Sequence, residues 1–391
     1  MKGGDLQLPE RSTRMKSWGR CGLLGLSLLG GACAPQTPAS RADATLTDAA
    51  PQDAASSDAA PQDAASSDAA LPDAASVDAA LPDSARPDAG SPDAALPDAA
   101  QPPAPRACLG TYGRAEDLGI LDDERIDEAS GLVASSFDPR VVWTHNDSGD
   151  VARLFAVDTT GRRLGLLYLP EAENIDFEDL ARAACPDASG PCLWVADTGT
   201  NGGDRAEFAL YATPEPRVAF GVPFEDFTAD RMWRFRFRYP DGVVDSEALL
   251  VDRDGGAFRT IEKVDAPRAR VFRSEGPLVP DALMTLVEES TLDAPGFAIP
   301  QGRMVTGAAL HPLEDRVLLR VYTGSYEYRL APGQGLGDLA RVAPTMVSAG
   351  PLSEPQGEAI AYDGSGLNVL TVSEDAQRTG RVPLHVYRCL P

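Results

Sequence analysis

From residue 106 onward, apolar side chains come in short runs that Gly, Pro, Asp and Asn repeatedly interrupt. The runs are Gly131–Ser135, Val141–Thr144, Arg153–Val157, Leu164–Leu169, Leu193–Ala196, Phe208–Ala212 and Met232–Tyr239. Short apolar segments bounded by turn formers are the pattern of β-strands, and the three-and-four spacing of a long amphipathic helix is missing. The pattern predicts an all-β domain: a sandwich, a barrel or a propeller.

Internal repetition separates these possibilities. Five stretches align in register: Asp127-Glu128-Ala129-Ser130-Gly131-Leu132, Phe177-Glu178-Asp179-Leu180-Ala181, Ser246-Glu247-Ala248-Leu249-Leu250, Thr306-Gly307-Ala308-Ala309-Leu310 and Gly357-Glu358-Ala359-Ile360-Ala361. A second strand follows each, VVWTHNDSG in the first unit and LWVADTGTN in the second, and two more follow in most units. Successive starts lie 50, 69, 60 and 51 residues apart. Four strands in each repeat of this length predict a β-propeller of five four-stranded blades. The longer interval between Glu178 and Glu247 leaves room for a sixth blade as the alternative.

Four cysteines fall in this domain, and closure of a propeller bears on how they pair. The N-terminal strand of a propeller commonly completes the last blade, which would bring Cys108 beside Cys389, while Cys185 and Cys192 are near enough to staple one loop. No CxxC spacing favours zinc. Disulfides imply an oxidising compartment. Residues 1–33 agree: Lys16 and Arg20 precede an apolar run from Cys21 to Ala32, the form of an export signal with Met15 as its start. Leu29-Gly30-Gly31-Ala32-Cys33 is similar to a bacterial lipobox, with Cys33 the lipidated residue; simple secretion after cleavage is the alternative. The mature protein is therefore expected outside the cytoplasm, on a bacterial outer membrane or cell surface, and in contact with a membrane only through its lipid.

Between signal and propeller the pattern changes completely. Over 34–105 an Asp stands at every fifth position from Asp43 to Asp98, among Pro, Ala and Ser, with no aromatic residue. A five-residue period matches neither a helix face nor a strand face. The composition cannot build a core, so a disordered, extended spacer is expected. The net charge of −24 is far from that of a nucleic-acid binder and compatible with cation binding.

The first strand of each propeller blade lines the central channel, so the repeat places Glu128, Glu178, Glu247 and Glu358 around one axis. Blade four departs, with Gly307 in that slot. The ends of the second strands add Asn146, Asp147, Asp197, Asn201, Glu374 and Asp375 near one mouth. Crowded carboxylates raise one another's pKa unless cations or hydrogen-bond donors compensate. Oxygen-only ligands suit Ca²⁺ or Mg²⁺. Glu128, Glu178, Asp197, Glu247 and Glu358 are the metal-ligand candidates. Asn146, Asp147, Asn201, Lys263 and Glu374 are candidates for ligand contact. The competing explanation is structural, with each Glu hydrogen-bonding backbone N–H groups of the next blade. Lys263 is a counter-ion, a substrate contact or a surface lysine. His145 and Lys263 are the candidates for acid–base chemistry. No G-x-S-x-G elbow is present.

The motifs E-A-S-G-L, W-T-H-N-D-S-G, E-D-L-A, E-A-L-L and G-E-A-I-A resemble those of a group of uncharacterised bacterial secreted or lipoprotein β-propellers, over roughly 120–391. That group is distantly similar to esterase-like and phytase-like propellers and to calcium-dependent lactonase propellers. The resemblance implies the fold and a calcium-bearing channel, not a reaction. Three functions are open from sequence: an exported, lipid-anchored monomer that binds a small molecule or protein, with calcium in its acidic channel; a metal-dependent hydrolase of phosphoesters, esters or lactones; and a metal-free interaction propeller.

Overall fold

The computed structural model describes residues 107–390, apart from 201–202, 204, 224–225, 349–353, 355 and 376–378. The export signal, Cys33 and the 34–105 spacer lie outside the described residues, as does Asn201.

Twenty-two strands form five separate sheets. In chain order, β1 is Thr111–Ile120, and β2 (Ala129–Ala134), β3 (Val141–Asn146), β4 (Arg153–Asp158) and β5 (Arg163–Tyr168) make blade one. Blade two has β6 (Phe177–Ala184), β7 (Pro191–Asp197) and β8 (Phe208–Pro214); after the short β9 (Phe227–Thr228) it is completed by β10 (Trp233–Arg238). Blade three has β11 (Ser246–Val251), β12 (Phe258–Glu262), β13 (Arg268–Arg273) and, after β14 (Leu283–Thr285), β15 (Val287–Asp293). Blade four is β16 (Val305–Leu310), β17 (Arg316–Val321), β18 (Gly324–Arg329) and β19 (Thr345–Ser348). Blade five is β20 (Gly357–Tyr362), β21 (Val369–Ser373) and β22 (Pro383–Leu390), and β1 adds to it as the outermost strand. The fold is a five-bladed β-propeller.

Among the described residues, the long interval after Glu178 holds no sixth blade. Part of its length forms β9, which leaves blade two and pairs in parallel with β5 of blade one. The same device recurs one blade on, where β14 pairs in parallel with β10 of blade two. Both additions cover a sheet edge that would otherwise present unpaired backbone groups.

Apolar packing closes the ring. Each core lies between neighbouring blades: Trp143 and Leu154 meet Phe177 and Leu193, Trp194 and Phe237 meet Phe258 and Phe272, and Ile261 and Val271 meet Val317 and Leu319. Leu318 then meets Ile360 and Tyr387, and Leu370 and Val386 return to Leu132 and Phe155. Strands such as β3, VVWTHN, are buried along their whole length because both faces pack against another blade, which is why they read as continuous apolar runs rather than alternating ones.

Closure is also covalent. Cys108 and Cys389 are joined, 281 residues apart in sequence, and Cys185 and Cys192 staple a loop of blade two. Both pairings expected from sequence are present.

Candidate functional site

The inner strands β2, β6, β11, β16 and β20 are neighbours round the axis. Neighbouring blades are joined near the starts of these strands: the Ser130 hydroxyl donates to the Glu178 carbonyl at 2.6 Å, and Thr306 donates to the Gly357 carbonyl at 2.8 Å. Their common direction gathers all of the strand-opening glutamates at one mouth. Glu178, Glu247 and Glu358 are buried there, and Glu128 and Glu374 are half-buried.

The charges are close enough to perturb one another. Burial raises Glu178 well above the ordinary carboxylate range, and Glu247, Asp147 and Asp176 push it the same way. Burial, then Glu358, raises Glu247. Burial, then Glu358 and Glu128, brings Glu374 to about 8. Burial, then Asp176 and Glu374, brings Asp147 to about 9.

Lys263 is the cation among them. Burial works against its charge, but Glu247 and Glu358 outweigh burial and hold the ammonium protonated. It forms an ion pair with Glu247 and stands 5.4 Å from the centre of the Tyr322 ring. The Tyr322 hydroxyl donates to Glu358 Oε1 at 3.1 Å. One oxygen each of Glu247 and Glu358, both Oε2, is buried without a hydrogen-bond partner. The mouth thus has two parts. On one side Lys263 partly neutralises Glu247 and Glu358. On the other, Asp147, Asp176 and Glu178 each place one carboxylate oxygen within 4.8 Å of the other two. Three such oxygens could hold a metal ion.

Local sequence explains this second group. Asp147 follows the end of β3, and its carboxylate accepts the Ser148 amide at 2.6 Å. Asp176 immediately precedes β6; its amide donates to Asp197 Oδ1 at 2.9 Å. Gly199 completes the arrangement, because a Cβ there would collide with Glu178 Oε1 and lie 2.5 Å from Asp176 Oδ2. Glycine lets the chain after β7 pass directly over the carboxylates.

Other sequence candidates have different surroundings. Asp197 is fully buried and engaged by the Arg205 guanidinium, at 2.8 Å from each of its oxygens, which makes it a support for Asp176 rather than a member of the trio. Asn146 donates to the Arg125 carbonyl at 2.5 Å and to Asp150 at 3.0 Å, shaping the β3–β4 turn. His145 is fully buried, edge-on to Phe177 at 5.6 Å, with Nδ1 donating to the Asn146 carbonyl at 2.9 Å. Burial lowers its pKa to about 4, so the imidazole is neutral at physiological pH. Asp375 lies apart, accepting Thr379 Oγ1 at 2.9 Å and the Gly380 amide at 2.5 Å.

Two further acids lie beyond the candidates read from the strand pattern. Asp176 sits just outside the repeat. Asp179 is within it, the third residue of β6, where β11 has Ala248 and β20 has Ala359; in β2 that place falls to Gly131, because β2 begins at Ala129, two residues later than the aligned glutamates suggest. Asp179 is fully buried and accepts three backbone amides: Leu180 at 2.8 Å, Leu249 of blade three at 2.7 Å and Ala308 of blade four at 3.1 Å. Burial nonetheless raises its pKa to about 8. Backbone capping between blades, the structural role considered for the glutamates, is performed here by the residue after one of them. Gly307, the gap in the glutamate series, abuts blade five: a Cβ there would lie 2.7 Å from the Glu358 carbonyl.

No family model matches this chain, and no curated protein matches it. Among solved structures, U3-55K is 10% identical with a TM-score of 0.36, over 70% of this chain and 98% of that one. Raptor of Chaetomium thermophilum is 10% identical with a TM-score of 0.38, over 72% of this chain and 30% of that one. These values carry no functional inference.

Proposed function

We propose that this protein is an exported, lipid-anchored propeller that binds a calcium ion at its acidic mouth and uses the ion to hold an oxygen-bearing ligand, a small molecule or a segment of another protein. The observation that carries this reading is the convergence of Asp147, Asp176 and Glu178, each with one oxygen within 4.8 Å of the others. Three carboxylates supply hard oxygen ligands only, and their irregular placement suits the tolerant coordination of Ca²⁺ better than the strict octahedron of Mg²⁺. An ion would also compensate the burial and the mutual repulsion that raise Asp147 and Glu178. Two disulfides support export. The signal-like segment before Cys33 and the spacer over 34–105 fit a domain held away from a membrane.

The test is thermal unfolding of the full chain in calcium and in chelator. At a calcium concentration about a hundredfold above Kd, binding to the native state alone adds about 2.7 kcal/mol, and the midpoint rises accordingly. Glu178→Gln is expected to remove most of that rise. An unchanged midpoint in calcium, at a pH where these carboxylates ionise, overturns the metal reading.

A further inference from the structure

The five inner strands end at a second cavity, on the far side of Asp179 from the acids. Its volume is about 400 Å³, within the range that encloses small ligands. Val133, Leu180, Leu249, Ala308 and Tyr362 contribute one wall position from each blade. Part of the rim is the loop closed by Cys185–Cys192, which contributes Ala188, Gly190 and Pro191.

Polar groups in this lining are engaged, with one exception. The Asp363 carboxylate accepts amides from Ser365, Leu367 and Asn368 and the Asn368 side chain. Arg253 pairs with Asp315 at 3.0 Å and donates to the His311 and Glu314 carbonyls. His311 receives the Leu313 and Glu314 amides on Nδ1 and donates from Nε2 to the Gly366 carbonyl at 3.0 Å, so it is neutral. Arg182 is the exception. One terminal nitrogen donates to the Ala134 carbonyl at 2.9 Å, and among the described residues no carboxylate lies within ion-pairing distance of it. Glu215 acts on it only from further away, and its own oxygens are taken by the Ser136 amide and the Trp143 indole. Arginine stays charged under such burial and presents a fork that matches a carboxylate. A half-buried guanidinium with donors to spare, in a cavity whose other charged side chains are already paired, selects an anion with an apolar body.

We propose that this cavity is a second ligand site, separate from the acidic mouth, which binds a small amphipathic carboxylate with its head on Arg182 and its hydrocarbon part against the inner-strand wall.

The experiment is isothermal titration of the full chain, in chelator, with octanoate and in parallel with 1-octanol, which has the same chain and no charge. Saturable binding of one octanoate is expected, roughly tenfold or more tighter than octanol. Arg182→Met is expected to reduce octanoate to the level of octanol, and Ala309→Phe, at the cavity wall, to weaken both. Adding calcium leaves the octanoate affinity unchanged, so this site and the acidic mouth succeed or fail separately. Absence of saturable octanoate binding overturns the proposal. So does equal affinity for octanoate and octanol in the unsubstituted chain, a result that needs no variant to fold.

Discussion

The two ends of the same five strands have opposite chemistry. Where β6, β11 and β20 begin, Glu178, Glu247 and Glu358 crowd together with pKa values raised by burial. A few residues further along the same strands, Leu180, Leu249 and Ala361 line a largely apolar funnel in which Arg182, of the opposite charge, has no carboxylate partner among the described residues. Asp179 stands between. The fold accounts for neither end: a propeller requires only that its inner strands pack and that their backbone groups be satisfied. What the contrast teaches is that the channel is two half-sites back to back, separated by a layer of small residues that one aspartate interrupts.

Breaking that layer has the largest expected effect. Asp179→Ala leaves the amides of Leu180, Leu249 and Ala308 without their acceptor. At about 1–3 kcal/mol for each unsatisfied buried donor, urea unfolding should report a loss of about 3 kcal/mol or more. Asp179→Asn keeps one acceptor oxygen and should lose less. If the alanine variant is as stable as the parent, the partition between the two halves is not held by this residue.

Proton linkage gives the next effect and separates the acidic half from the apolar one. Asp147 and Glu374 have folded-state values of about 9 and about 8, whereas unfolded carboxyl groups titrate near 4. Between these limits the folded state holds protons that the unfolded chain has released. Stability of the calcium-free domain therefore falls as pH rises from about 5 to about 8. Carboxyl groups shifted downward, such as Glu354 at about 2, where Arg320 and His385 outweigh the effect of burial, have already made their full contribution above about pH 5; buried His145, lowered to about 4, adds an opposing gain that is complete by about pH 6.5, so the fall is read most directly between about pH 6.5 and 8. Calcium competes with the bound protons, so the midpoint rise it produces should be larger at pH 8 than at pH 5. Melting curves across this range, with chelator and with calcium, check both signs. A calcium-free midpoint that climbs from pH 6.5 to pH 8 contradicts the charge crowding itself.

The legible part of the molecule was the part that repeats. Short apolar runs and the recurring Glu-Ala or Glu-Asp openings placed the inner strands to within a few residues and indicated which side chains share a mouth. Cys108 and Cys389 pair because β1 completes blade five, the ring closure expected once the repeats indicated a propeller. What escaped lay outside the period. Asp176 precedes its strand, and nothing local distinguishes it from a turn residue. The pairing of Asp197 with Arg205 joins the end of β7 to a residue in the connection that precedes β8, with no periodic signal to announce it. The β9 excursion looked like room for another blade because a two-residue parallel pairing leaves no hydrophobic pattern. Arg182 passed unremarked since its significance is the absence of a carboxylate nearby, which only three-dimensional surroundings reveal.

Lys263 provides the finest test of the acidic half. Its ammonium already does, for Glu247 and Glu358, part of what a metal ion would do for Asp147, Asp176 and Glu178. A fixed positive charge beside a cation site opposes the incoming ion, and one pKa unit of such interaction corresponds to about 1.4 kcal/mol, or tenfold in affinity. Lys263→Met removes the opposition while keeping a side chain of similar length over the Tyr322 ring. Near pH 9, where proton competition is weakest, calcium should bind the variant a few-fold and up to about tenfold more tightly. The calcium-free variant should melt lower, because Glu247 and Glu358 lose their partner without gaining another. Titration calorimetry and melting in chelator read the two effects independently. Weaker calcium binding by the variant would mean that Lys263 organises the carboxylates for the ion rather than standing in for it, and the two halves of the acidic mouth would then have to be treated as one site.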